Sequence, residues 1–107
     1  MINNNEAYSR ELEYEQMLEE EHIMHNRQAR DNLDHLDRIF ESIPTEVINF
    51  YTGIDEDRIL EFQRGAMLDT TELAEMTMYI EEIDSAMQLH KEGIEEINRL
   101  VKDPYKG

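Results

Sequence analysis

Apolar residues recur at alternating steps of three and four along the last third of the chain: Leu73, Met76, Ile80, Ile83, Met87, Ile94, Ile97 and Val101, with His90 as the one polar member of the track. Sustained over four heptads, this spacing is a coiled-coil seam. The stretch opens on Asp69-Thr70-Thr71-Glu72, which has the form of a capping box, and meets no strong stop before Asp103-Pro104. The pattern predicts a single helix over 70–101, about 48 Å long at ~1.5 Å per residue. Gly93 lies inside it; a mid-helix glycine costs about 1 kcal/mol relative to alanine and here suggests a close contact.

The first segment carries a shorter matching stripe, Leu33, Leu36, Phe40 and Ile43. No Gly or Pro interrupts residues 6–42, and Glu, Leu, Arg, Gln and Met dominate, so a second long helix is predicted there. Upstream of Leu33 its track reads Ala29, Asn26, His22, Glu19, Glu15, Leu12 and Tyr8, too polar for the core of a monomer. Between the long helices lie two short ones. Residues 45–52 are stopped by Gly53, and residues 56–64, capped by Asp55, are stopped by Gly65. The expected fold is all-α and a single domain: an elongated antiparallel helical hairpin, with the broken middle segment as its tip. Its packed seam sets Leu73, Met76, Ile80, Ile83, Met87, Ile94 and Ile97 against Leu33, Leu36, Phe40 and Ile43.

Charge narrows the set of partners. Across 107 residues, 26 acids stand against 10 Lys plus Arg, a net charge of −16. Residues 1–30, 31–69 and 70–107 hold seven, ten and nine acids, so the excess belongs to the whole surface. Such a surface repels nucleic acid and anionic lipid, whose binding needs Lys and Arg against phosphate, and favours a basic partner. No apolar run approaches the ~20 residues of a membrane span, and the first residues lack the basic and apolar regions of a signal peptide. The expectation is a protein made and folded in the cytoplasm, with export alongside a partner left open. Cysteine is absent, which removes disulfides, thiol catalysis and thiolate metal sites.

Candidate chemistry is sparse. Glu19 and His22, with His25 a turn later, have the Glu-x-x-His spacing of di-iron bundles, but the further inward carboxylates would have to come from another copy; a solvated Glu-rich surface is the preferred reading. His90 reads as a register-setting polar position ahead of a pH switch. The seven Met residues read as core ahead of an adaptable binding surface. No nucleophile elbow, phosphate loop or zinc spacing is present, and Ser9, Ser42 and Ser85 lie in no catalytic setting. No enzymatic activity, cofactor or metal is expected.

Two family resemblances follow. Around Tyr51-Thr52-Gly53, an aromatic-x-Gly at the centre of an acidic, cysteine-free helical chain, the whole sequence resembles the small helical-hairpin proteins of bacterial type VII secretion, the W-x-G family and the partners of L-x-G toxins. That resemblance implies a helix pair that docks beside a cargo's helices and presents it for export. Over residues 43–80, Ile43, Ile48, Thr52-Gly53-Ile54, Ile59, Phe62 and Gly65 fall at spacings similar to a Cro-type helix-turn-helix. Its recognition helix would begin Asp55-Glu56-Asp57-Arg58, where three acids oppose DNA. An antirepressor or phage-type inhibitor that contacts protein is what this second resemblance implies. A third idea is mimicry of DNA against a basic groove.

The sequence reading is a non-enzymatic partner or adaptor that packs helix-to-helix on another protein and that, when alone, either self-associates, for instance as a homodimer, or is only marginally stable. The partner-facing residues expected are Leu12, Met17, Leu18, Ile23 and Met24 on the first helix, Tyr51 and Gly53 at the centre, and Ile94 and Ile97 on the last.

Overall fold

A computed structural model of the chain describes residues 4–105, with side chains described at 15–89 and 93–105. Five helices follow one another: α1 (Asn4–Ile39), α2 (Thr45–Thr52), α3 (Glu56–Gln63), α4 (Thr70–Gln88) and α5 (His90–Val101). No strand occurs among the described residues, and no helix there is long and apolar enough to cross a membrane.

Local chemistry sets most of the boundaries. The C-terminal turn of α1 winds through Glu41 and Ser42, both at positive φ (57° and 81°), a region that costs non-glycine residues energy. The turn is held by Asp37, whose carbonyl accepts from the Ser42 N–H at 2.6 Å and whose Oδ1 accepts from the Ile43 N–H at 2.9 Å. Gly53 ends α2 in the left-handed conformation that glycine adopts without penalty (φ 74°), and Thr52 Oγ1 donates to the Ile48 carbonyl across the same turn. The capping box at the start of α4 forms as expected: the Glu72 N–H donates to Asp69 Oδ1 and the Asp69 N–H to Glu72 Oε1.

The arrangement of the long elements differs from the expected hairpin in two ways. Leu68, just ahead of α4, lies beside Asn26 in the middle of α1, not beside its C-terminal end. From there α4 runs alongside α1 in the same direction, with Leu73, Ala74 and Thr77 facing Ala29 and Asn32. The two short helices supply the return path that makes this parallel pairing reachable. The predicted helix over 70–101 is also two helices. It breaks at Leu89, and α5 folds back antiparallel on α4, with the Tyr79 hydroxyl donating to the Leu100 carbonyl at 2.6 Å. The break has a packing reason. Among its described side chains α1 offers buried apolar ones only from Ala29 onward, too short a surface to cover four heptads, whereas folding back buries Leu100 and Val101 beside Tyr79. Met87 and Ile94, expected in the packed seam, are therefore exposed (40% and 59%), and Ile97 is half-buried against the core.

One continuous core results, formed by Ala29, Leu33 and Leu36 of α1 together with Ile48, Ile59, Phe62, Met76, Ile83 and Leu100. It extends further up α1 than the polar track suggested. The molecule measures 66 × 29 × 22 Å, and its radius of gyration of 18.1 Å exceeds the ~13 Å of a compact chain of this length. The excess length is the N-terminal part of α1.

Candidate interaction surface

α1 leaves the body at Asn26. Among the described side chains from residue 15 to 25, all are exposed except half-buried His22. Met17 (49%), Leu18 (45%), Ile23 (38%) and Met24 (55%) keep large apolar surfaces in water, among exposed Glu15, Glu19, Glu20 and Glu21. Met17 and Met24 are two turns apart on one side, whereas Leu18 and Ile23 lie on other sides of the helix. The arm thus presents apolar side chains around its circumference. Leu12 lies outside the described side chains.

Two polar residues of α1 fix the point where the arm emerges. Asn26, only 1% exposed, brackets one peptide: its Oδ1 accepts from the Leu68 N–H at 2.8 Å and its Nδ2 donates to the Leu68 carbonyl at 3.3 Å. A turn later Arg30 donates to the carbonyls of Phe62 (2.6 Å) and Ala66 (2.8 Å), with its guanidinium 5.0 Å from the centre of the Phe62 ring. A fixed positive charge thereby meets the negative end of α3. Neither residue carries a functional signal in the sequence. The signal available was an asparagine on an otherwise apolar track, and the peptide it binds lies in a loop that no periodicity identifies.

The α2–α3 unit offers a second surface. Asp55, Glu56, Asp57, Leu60 and Glu61 are exposed along α3. Arg58, the one base among them, is turned back onto Glu72 (Nε–Oε2 3.1 Å, Nη2–Oε1 2.7 Å) and also reaches Glu61 and the Met67 carbonyl. The guanidinium beside Glu72 holds that carboxyl down to about 2, and the Asp69 N–H adds to the effect against partial desolvation. The outward face of α3 is left acidic.

The central and C-terminal expectations resolve differently. Tyr51 is half-buried, its ring stacked on Tyr79 (centroids 5.7 Å apart) and its hydroxyl donating to the Arg99 carbonyl at 3.2 Å; burial pushes its pKa up. Gly53 is exposed and serves as the end of α2. Ile94 stands free on α5, near a groove of about 490 Å³ between α4 and α5 that Met78, Glu81, Glu82, Leu89, Gly93 and Glu96 line. The eight described of the nine expected contact residues therefore do not converge on one face.

His22 Nε2 lies 3.3 Å from the Asn26 amide nitrogen, and among the described residues no three His, Cys, Asp or Glu side chains gather into a metal-holding group. Comparison with models of known protein families, with curated proteins and with solved structures finds no match to this chain.

Proposed function

We propose that this chain is a non-enzymatic binding protein that packs helix-to-helix on another protein, with the free part of α1 as the docking arm. One observation carries the reading: Met17, Leu18, Ile23 and Met24 project, exposed, from a stretch of α1 that no other described element covers. Isolated helices are marginal in water, and most helical stability in proteins comes from packing an apolar face. The partner is a helical protein with basic flanks, because residues 4–25 hold seven glutamates and, of Lys and Arg, only Arg10. The test is capture of a partner by the full chain and by Leu18→Asp and Met24→Asp. Loss of capture by both variants, with unchanged melting of the body, is the expected outcome. Undiminished capture by both would overturn the arm as the contact.

A second reading is that the chain is an acidic helix-turn-helix-like regulator or inhibitor that binds a repressor or another nucleic-acid-binding protein. It is favoured by the burial of Ile43, Ile48, Thr52, Ile54, Ile59 and Phe62, the positions that a Cro-type motif would use for its core and turn. The acids of α3 then face protein in place of phosphate. In this case Asp57→Asn and Glu61→Gln weaken capture steeply, and the arm variants do not.

A further inference from the structure

The corner between α4 and α5 is built from residues that belong inside a helix. Two other helix ends and one start carry clear marks, Gly53 closing α2, Gly65 following α3 at φ 116° and the Asp69–Glu72 box opening α4, whereas α2 and α3, like α5, start without a side-chain cap. At the corner the single connecting residue is Leu89, with φ −92° and ψ 20°, and no side chain caps the start of α5. The surrounding Ala86-Met87-Gln88-Leu89-His90-Lys91-Glu92 contains no glycine, proline or capping residue. A one-residue corner also leaves the last carbonyls of α4 and the first N–H groups of α5 without the partners a continuous helix would give them.

What permits the corner is Gly93. It is buried, and a Cβ at this position would collide with the carbonyl oxygen of Ala86. A straight helix would place residues 73, 80, 87, 94 and 101 in one line, so that Met87 and Ile94, exposed in the folded-back form, would join Leu73, Ile80 and Val101 in a continuous stripe.

We infer that the partner this surface fits is a second copy of the chain. α4 and α5 straighten into one helix, and each copy lays its α5 on the body of the other. Leu100 and Val101 then fill the same sites, and the Tyr79–Leu100 bond re-forms between copies. The exchange therefore keeps the contacts of Tyr79, Leu100 and Val101 but gives up the close approach of Gly93 to Ala86 beside the hinge, while the straightened segments supply each other's cover for Met87 and Ile94. The inference stands independently of the α1 arm.

The chain has no cysteine, so Glu82→Cys with Glu96→Cys, both lining the α4–α5 groove, gives a unique pair for a short bis-maleimide. With Gly93 in place, the dilute full chain is expected to have monomer mass by light scattering and to crosslink within itself. Gly93→Ala, which blocks the corner and favours the straight helix, is expected to double the mass and shift the crosslink to between chains. Inserting Gly-Ser-Gly after Leu89 in that variant, to relieve the corner, is expected to restore the monomer. A Gly93→Ala protein that stays monomeric, whether crosslinked within the chain or not at all, overturns the exchange. If that variant does not fold, the Gly93 chain annealed at high concentration decides: crosslinks between chains support the exchange, and crosslinks only within chains overturn it.

Discussion

At Asn26 one side chain does the work of a strand partner, donating and accepting across a single peptide 42 residues away. Removing it leaves both the N–H and the carbonyl of Leu68 buried without a partner, and such groups cost about 1–3 kcal/mol to orphan. Asn26→Ala is therefore expected to lower unfolding stability by roughly 2–3 kcal/mol in urea denaturation. A loss below ~0.5 kcal/mol would mean that water replaces the amide without penalty. Glu72 yields a pH signature. Its folded pKa, about 2, lies below the ordinary 4.5, so its contribution is complete above pH 4.5 and disappears as pH falls toward 2. The stability difference between the parent chain and Glu72→Gln is expected to shrink over that window. The difference is the right quantity, because protonating the other acids relieves repulsion in both proteins alike. A difference that does not change with pH would mean that the Arg58 contact is screened away.

At the scale of elements, the legible features were those settled within a few residues. The capping box at Asp69 and the glycine end at Gly53 follow from local backbone chemistry and form as expected, whereas Asp55, expected to cap α3, makes no side-chain cap bond there. The all-α class was equally plain from helix formers and from the scarcity of Gly and Pro. What periodicity leaves open is what covers a stripe. The heptads from Leu73 to Val101 fit a straight helix and a folded-back pair equally well locally; the short apolar part of α1 decides between them. Gly93 was legible as a close contact but not as a corner. The arm residues Met17, Leu18, Ile23 and Met24 are exposed, since their helix offers no apolar track around them. Tyr51 and Ile97 turned inward because α5 returns to meet α2, a long-range event with no local signature. Deleting residues 1–21 is expected to leave the melting temperature of the body within a few degrees, since no described side chain of that stretch is buried. A collapse of cooperative melting would show that the arm is integral to the core.

For the molecule as a whole, a net charge of −16 on 107 residues sets a repulsive background that opposes the compact state. Raising ionic strength from ~0.01 to ~0.15 M shortens the screening length from about 30 to 8 Å, so the melting temperature is expected to rise by several degrees. A fall would mean that the ion pairs of Arg58 and Arg99 outweigh the repulsion. Duplex DNA is not expected to be retarded by micromolar protein at physiological salt, because the one base of α3 is held by Glu72.

The two anchors of α1 also divide a single helix into two regimes of backbone opening. Toward the N-terminus from Asn26, a peptide N–H loses its hydrogen bond by fraying alone; beyond Ala29, losing it means detaching the helix from Leu68, Phe62 and Ala66, close to global unfolding. Amide hydrogen exchange along residues 15–39 is then expected to slow by orders of magnitude within about two turns, although the helix runs on without a break. Asn26→Ala is expected to move that step about one turn toward Arg30. A gradual slope in its place would mean that the helix exchanges as one unit and that the Leu68 peptide imposes no boundary on it.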